Sequence, residues 1–441
     1  MKTIKMLPIL LAMLLSGTMH ANADVDLWGD DEAIDTTNFI VYTGKVIDAE
    51  DNTPLPFATI ESEQTNIATV TNIDGEFLLK TSRDIELASL KISYVGYKNQ
   101  TIPAQRYRNL DNMEILLKPS TVNLQEITVR SEDAEGLISE VLMNIKNNYS
   151  QKEMMMTAFY RETIKKRRNY VSISEAVVDI YKSPYASSFK FDQVKLVQGR
   201  KSADVEKMDT VLFKVQGGPV TTLLLDIVKN PYLLLTDEYK EVYSFRISGV
   251  ISINDRLHYL VTFDQKPHVT TALYHGKIFI DMDKLAITEA EFELNMDNEE
   301  EVASMFIRKK PAGMTVLPER AAYRAKYTID SDSTWYFNYA RAEVKFDVKW
   351  KRKLFKTQYN TMSEIAITER NDKPAEKIPY RERYKRSQVL DDLVYVFFDQ
   401  NFWGGYNVIE PDQSIESAIR KLNRKFIRNE DDVAMTTMHN Q

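Results

Sequence analysis

The chain has 441 residues, 57 Lys and Arg against 64 Asp and Glu for a formal charge of −7, 14 glycines, 10% aromatic residues and no cysteine. Two or three domains fit this length, and the lack of cysteine excludes disulfides, thiolate zinc sites, cysteine nucleophiles and a lipid-bearing N-terminal cysteine. The acidic balance argues against general nucleic-acid or anionic-membrane binding, and without G-x-G-x-x-G or G-x-x-x-x-G-K-[ST] no cofactor is expected.

Met1 to Lys5 carries two lysines, Met6 to Leu15 is almost wholly apolar and Ala21-Asn22-Ala23 supplies small residues, so residues 1–23 read as a cleaved secretory signal. The apolar run falls short of the roughly 20 residues of a spanning helix, and no transmembrane span is expected after cleavage. Removing Lys2 and Lys5 takes the formal charge from −7 to −9. The acidic, aperiodic stretch 24–38 reads as a flexible leader.

From Phe39 short alternating runs are broken by turn chemistry at Asp51-Asn52-Thr53-Pro54, at Asn72-Ile73-Asp74-Gly75 and at Gly96, the pattern of a small antiparallel β-sandwich over 39–118. Gly44-Lys45-Val46-Ile47-Asp48, Pro54-Leu55-Pro56-Phe57-Ala58-Thr59-Ile60, Thr71-Asn72-Ile73-Asp74-Gly75-Glu76-Phe77 and Ser93-Tyr94-Val95-Gly96-Tyr97 together resemble the carboxypeptidase-regulatory-like domain of Bacteroidetes cell-envelope proteins. The resemblance implies a transthyretin-like sandwich with no catalytic residues of its own. Asp74 before Gly75 has the look of a calcium loop, but one acid lacks the several oxygens calcium needs, so the turn reading is preferred. Asn123 to Val129 resembles the segment that meets an energy-coupling partner in receptors; with no receptor-length barrel following, it reads as a linker.

Residues 119–150 read as linker and amphipathic helix, with Ile138, Val141, Leu142, Ile145 and Tyr149 on one stripe and Ser131 or Asp133 as N-cap. Over 151–385 period two returns in long strands, with candidates at Tyr170–Tyr181, Lys240–Ile253, Arg256–Phe263, Lys277–Asp281, Leu285–Met296 and Ala340–Trp350. A hairpin turn is expected at Met282-Asp283-Lys284, and the apolar insertion Pro219–Leu235 reads as a helix covering a sheet. This pattern, with Gly276-Lys277-Ile278-Phe279-Ile280-Asp281, resembles the half-barrel of bacterial lipoprotein carriers. The expected fold is mainly β: a sandwich, then a large antiparallel half-barrel-like sheet with helical insertions. Residues 386–441 read as a helical and irregular closing segment; Asp399 to Pro411 resembles the closing motif of uncharacterised Bacteroidetes proteins, and Ile415, Ala418, Ile419, Leu422 and Phe426 form a last amphipathic stripe.

Chemistry is sparse. Beyond the signal only His258, His268, His275 and His439 remain, with no H-E-x-x-H, so a zinc peptidase is not expected. His258 and His275 on neighbouring strands suggest a shared metal, but spacing fixes no companion acid. Ser187-Ser188-Phe189-Lys190 is the single S-x-x-K and stands without the companion motifs of that chemistry. Lys165-Lys166-Arg167-Arg168 reads as a hairpin turn or wet edge rather than a nucleic-acid patch.

No catalytic, cofactor or metal residues are therefore assigned. One reading is a non-enzymatic envelope protein, periplasmic or peripheral at the outer membrane, binding a lipid-like ligand or an envelope partner. Its candidate ligand face is Ala290, Phe292, Leu294, Met296, Val344, Phe346 and Val348. A second is a structural or assembly scaffold whose half-barrel is sealed by Pro219–Leu235, and a third an uncharacterised hydrolase. Oligomeric state is not legible.

Overall fold

The computed structural model describes residues 13–15 and 39–419, apart from 63, 109–112, 121–132, 188–189, 204–212, 232–233, 236–239, 310–311, 331, 352, 372–374, 397–401 and 414. The signal reading, the leader, most of the 119–130 linker and the helix end beyond 419 thus lie outside the described residues. The exception is β1 (Met13–Leu15), which joins Phe213–Val215 and Ile307–Lys309 in a small sheet.

β2 (Phe39–Asp48), β3 (Thr59–Glu61), β4 (Ala68–Val70), β5 (Glu76–Ser82), β6 (Ser89–Ser93), β7 (Gln100–Pro103) and β8 (Glu114–Leu117) form the sandwich. One sheet is ordered β5-β2-β8 and the other β4-β3-β6-β7. Alternation does the sorting: Ile40, Tyr42 and Val46 of β2 meet Phe77, Leu79, Leu90 and Ile92 in one core. The turn into β5 is built by Asn72, whose Oδ1 accepts from the backbone N–H of Asp74 and Glu76 at 3.0 and 2.9 Å. Gly75 sits there at φ +80°, and a Cβ on it would lie 2.5 Å from the Val46 carbonyl, so only glycine closes this turn. Asp74 accepts from the Gln413 backbone N–H at 2.9 Å, tying the turn to the end of the chain.

Asp133 caps α1 (Ala134–Met143) by accepting from Gly136, and the predicted helix breaks at Asn144 before the single turn α2 (Ile145–Asn148). The long strands follow: β9 (Met154–Lys166), β10 (Asn169–Lys182), β11 (Gln193–Ala203), β12 (Phe213–Val215), β13 (Tyr243–Ile253), β14 (Arg256–Gln265), β15 (Tyr274–Asp281), β16 (Ile287–Leu294), β17 (Ile307–Lys309), β18 (Met314–Ile329), β19 (Trp335–Trp350), β20 (Thr357–Asn371) and β21 (Tyr395–Val396). Eleven of them form one open sheet in the order β13-β14-β15-β16-β18-β19-β20-β9-β10-β11-β21, antiparallel except where β21 joins β11. The fold is thus mainly β. The strands are longer than the alternation suggests at several ends, and β18 runs straight through Pro318, where the pairing with β19 slips.

Strand alternation gives this sheet two unlike faces. The inner face carries the main core and is covered by α1, by α3 (Gly218–Thr222) with its following turns, and by α4 (Glu299–Phe306), whose Phe306 meets Phe346 edge-on at 6.0 Å. The predicted helix over Pro219–Leu235 is a correction: α3 has five residues, a 3-10 turn takes Leu223–Leu225, and what is described beyond is turns. The physical reason lies inside the run, where Asp226, Asn230 and Pro231 stop a helix.

The outer face carries charge. In eight successive strands of the sheet Lys277, Glu291, Arg324, Arg341, Glu364, Arg161, Glu175 and Arg200 stand opposite one another in register. Signs alternate along this row except at Arg324 and Arg341, where the Phe57 ring lies 5.5 and 5.0 Å from the two guanidinium carbons. Phe57 also stacks on Tyr339 at 5.6 Å, so the sandwich sits on this face. The closing motif fastens it. Asn407 accepts from the Lys80 N–H at 2.6 Å and donates to its carbonyl at 3.0 Å, Lys80 Nζ donates to the Gly404 carbonyl at 2.8 Å, and Trp403 packs edge-on against Phe159 at 5.5 Å. α5 (Leu390–Leu393) lies just before that motif.

Candidate functional site

Two glycines set the entrance to the inner layer. Gly217 and Gly218, at φ +84° and +38°, turn the chain from β12 into α3, and a Cβ on Gly217 would lie 2.0 Å from Thr221 Oγ1. The insertion is then pinned by a buried ion cluster. Lys182, at the end of β10, donates to Asp192 and Asp226, both at 2.6 Å. Asp226 also accepts from the Tyr327 hydroxyl at 2.9 Å and the Lys229 backbone at 3.1 Å. Burial works against the Lys182 charge, but the two carboxylates outweigh it and hold this ammonium above the usual lysine value.

Beside the cluster lies a cavity of about 280 Å³ lined by Val220, Leu223, Leu224, Pro231, Phe191 and Val194, with Lys190, Lys229, Asn230, Asp192 and Arg386 among its polar groups. Its floor is apolar. Phe191, at the rim, is 66% exposed. Lys229 Nζ donates to the carbonyls of Pro184 and Ser187 at 2.5 and 2.8 Å. Burial pulls this ammonium down to about 8, partly opposed by Asp192, so its charge titrates near neutrality. Lys190 reaches Glu153 at 3.0 Å rather than a serine, which gives the Ser187–Lys190 motif a structural partner.

Under the root of α3 the inner face is polar. Glu162 stands opposite Ser174 and Ser363, accepts from Tyr160 at 2.8 Å, and is pushed by burial up to about 8. Thr222 of α3 bonds the Ser363 hydroxyl at 3.1 Å.

A second cavity, of about 420 Å³, opens on the outer face over Ala322 beside Phe57. The charges around it are paired with one another: Arg320 with Glu293, Arg324 and Lys277 with Glu291, and Arg341 with Glu343.

The face expected to take a ligand lies inside the main core. Ala290, Phe292, Leu294, Val344, Phe346 and Val348 are buried and Met296 packs half-buried against them. Tyr323 stacks on Phe292 at 5.2 Å and Tyr274 meets it edge-on at 5.4 Å, so rings pack against this part of the face. Nor are His258 and His275 brought together: register sets His258 opposite Asp281 on β15, six residues along that strand from His275. Among the described residues no three His, Asp or Glu side chains gather as a metal site. Sequence reading missed Lys182, Asp226, Lys229 and Arg386. The available signal was Asp226 and Lys229 inside an apolar run, since charges there need partners.

Residues 42–129 match the model of the CarboxypepD_reg-like domain. No curated protein matches the chain. Among solved structures, a LolA-superfamily protein from Nitrosomonas europaea aligns at 10% identity over 55% of this chain and 96% of that one, with a TM-score of 0.19. A DUF1329 family protein from Desulfovibrio piger aligns at 10% identity over 54% and 94%, with a TM-score of 0.20. A structure of lipovitellin concerned with lipid–protein interactions aligns at 10% identity over 57% of this chain and 28% of that one, with a TM-score of 0.25. These resemblances are weak, and likeness at this level carries no argument about ligands. No helix among the described residues is long and apolar enough to cross a membrane.

Proposed function

We propose that this chain is a non-enzymatic cell-envelope binding protein that holds an amphiphile at the mouth of the half-barrel. The acyl chain lies against Val220, Leu223 and Leu224, and an anionic head meets Lys190, Lys229 and Arg386. The observation that carries this reading is the apolar cavity with a basic rim beside the insertion. Export supplies the compartment and rests on the sequence of residues 1–23. The covering layer is short turns rather than a long helix, and a five-residue helix has little stability of its own, so an entering chain has a weak element to displace. About eight buried methylenes would contribute ~6 kcal/mol, enough for binding between millimolar and micromolar.

Titration of the purified chain with a fluorescent fatty acid tests it. Saturable uptake is expected, with Leu224→Asp weakening it at least tenfold while the melting temperature holds. Uptake should also fall as pH rises through about 8, where Lys229 loses its proton, and Lys229→Gln should remove that pH dependence. No uptake by the wild-type chain sinks the reading. A scaffold role then stands in its place, favoured by the fastening of the sandwich to the sheet through Asn407, Lys80 and Trp403.

A further inference from the structure

Three features meet at the end of the sheet remote from the mouth cavity. The β9–β10 connection is a two-residue turn in which Lys166 pairs with Asn169, leaving Arg167 and Arg168 exposed between them. Lys165 to Arg168 is thus one basic tip. The β19–β20 connection lies next to it, because Tyr359 pairs with Lys166 and the Arg167 N–H donates to the Gln358 carbonyl at 2.8 Å. That second tip carries Lys351, Lys353 and Lys356 around Leu354 and Phe355, which are 90% and 79% exposed. Among the described residues these are the two most exposed large apolar side chains. Asp347 takes Lys356 at 3.0 Å, and Glu319 and Glu299 are the other acids whose field reaches it. Cations still dominate the end.

We infer that this end is a docking surface for an anionic lipid bilayer: Leu354 and Phe355 insert at the acyl boundary while the lysines and arginines of both tips lie at the level of the phosphates. Two adjacent large apolar side chains held nearly free of protein contact gain by leaving water, and long basic stems reach headgroups from a tip that enters the interface. A nucleic-acid strand would instead need aromatic platforms along a basic groove, whereas here the apolar pair projects from a turn. Charge distribution supplies direction. The chain as a whole carries −7, so an anionic surface repels most of it and attracts this end. The acidic composition that argued against membrane binding describes the average and misses the segregation. β10 runs 14 residues from the basic tip to Lys182, roughly 45 Å, so docking would leave the mouth cavity at the far end of the strand from the bilayer. The inference does not rest on what that cavity holds.

Co-sedimentation of the purified chain with vesicles rich in phosphatidylglycerol, compared with pure phosphatidylcholine at low and high salt, decides it. Binding to the anionic vesicles that high salt releases is expected. Leu354→Asp with Phe355→Asp should weaken it more than tenfold, and each of Lys165→Glu, Arg167→Glu and Arg168→Glu by about fivefold or more. These side chains are outside the core, and an unchanged melting curve shows that the fold is retained. A tryptophan placed by Leu354→Trp should shift its emission to the blue when vesicles are added. The inference is overturned if the wild type stays in the supernatant, if the double aspartate variant binds as well as wild type, if the new tryptophan keeps its emission, or if neutral vesicles bind equally without salt dependence.

Discussion

On the inner face of the long sheet Phe292, Val344 and Phe346 are surrounded by apolar side chains and by helices laid over them, while on the outer face of the same strands Glu291, Arg341 and Lys345 carry charge. Both faces are partly buried, by different means. Along Phe292, Val344 and Phe346 the inner one is covered by packed apolar side chains. The outer one is covered in patches, by Phe57 of the sandwich and by the closing motif, so a single row of charges passes from exposed, at Lys277, to fully buried, at Arg161. Side-chain chemistry alone therefore does not set what a residue contributes. Coverage by a segment more than two hundred positions away in sequence does.

The inner face should break most completely. Phe292→Asp puts a carboxylate among the rings of Tyr274 and Tyr323 in place of a buried apolar side chain, and a loss of more than about 4 kcal/mol is expected. Loss of the cooperative thermal transition is the readout. A variant that melts like wild type would mean that this face is open after all.

Removing the cation from the covered part of the charge row comes next. Arg161 donates to Glu175 at 2.8 Å, to Glu364 at 3.3 Å and to the Ile409 carbonyl at 2.7 Å, and all three side chains are almost wholly buried. Arg161→Met takes one of two cations from each buried carboxylate, leaving Glu175 with Arg200 and Glu364 with Arg341, and should cost about 3 kcal/mol. Replacing Glu175 and Glu364 by Gln in the same variant should return part of it, since the penalty comes from buried carboxylates that have lost a cation. A cost below about 1 kcal/mol for Arg161→Met would show that the row is not held dry.

How much of this was legible follows from the same two faces. Period-two alternation in Ala290–Met296 and Ala342–Trp350 marked the strands, their sides and the mainly β fold, because a strand buried on one side must alternate. The same rule applied to β9, β10 and β20 sends the charged side to water, whereas the structure buries Arg161, Glu175 and Glu364. Nothing within β9, β10 or β20 says that Ile409 will lie across them; register and a distant covering segment do. The site suffered likewise. An apolar run was read as one helix, and the charges inside it, Asp226 and Lys229, were the part that mattered, since their partners, Lys182 for one and the carbonyls of Pro184 and Ser187 for the other, come from another strand and the turn after it.

Glu162 gives a smaller effect with a sign fixed in advance. Burial raises this carboxyl to about 8, so between the ordinary glutamate value near 4.5 and 8 the folded chain holds a proton that the unfolded chain has released. Its contribution to stability is complete below the unfolded value and is lost as pH rises through 8. Glu162→Gln removes the titration while keeping an acceptor for Tyr160, and should stabilise the chain by about 1–3 kcal/mol at pH 8 relative to pH 5. Denaturant midpoints at the two pH values measure it. Equal pH slopes for the variant and wild type would remove Glu162 from the account.

The smallest effect belongs to the uncovered side of the outer face. Arg320 makes a two-pronged contact with Glu293, in geometry as good as any in the covered network, yet the two side chains are 46% and 36% exposed. Water already solvates both groups when they are apart, so forming the pair removes little desolvation penalty and gains little Coulomb energy. Arg320→Gln should shift stability by no more than about 1 kcal/mol, and salt should shrink even that, because screening acts on exposed charges over about 10 Å at ordinary ionic strength. Arg161→Met should keep most of its cost in the same salt, since ions do not reach it. Denaturant midpoints of the two variants at low and high salt measure this difference. Equal costs, or equal salt sensitivity, would mean that coverage is not what separates the two parts of the outer face.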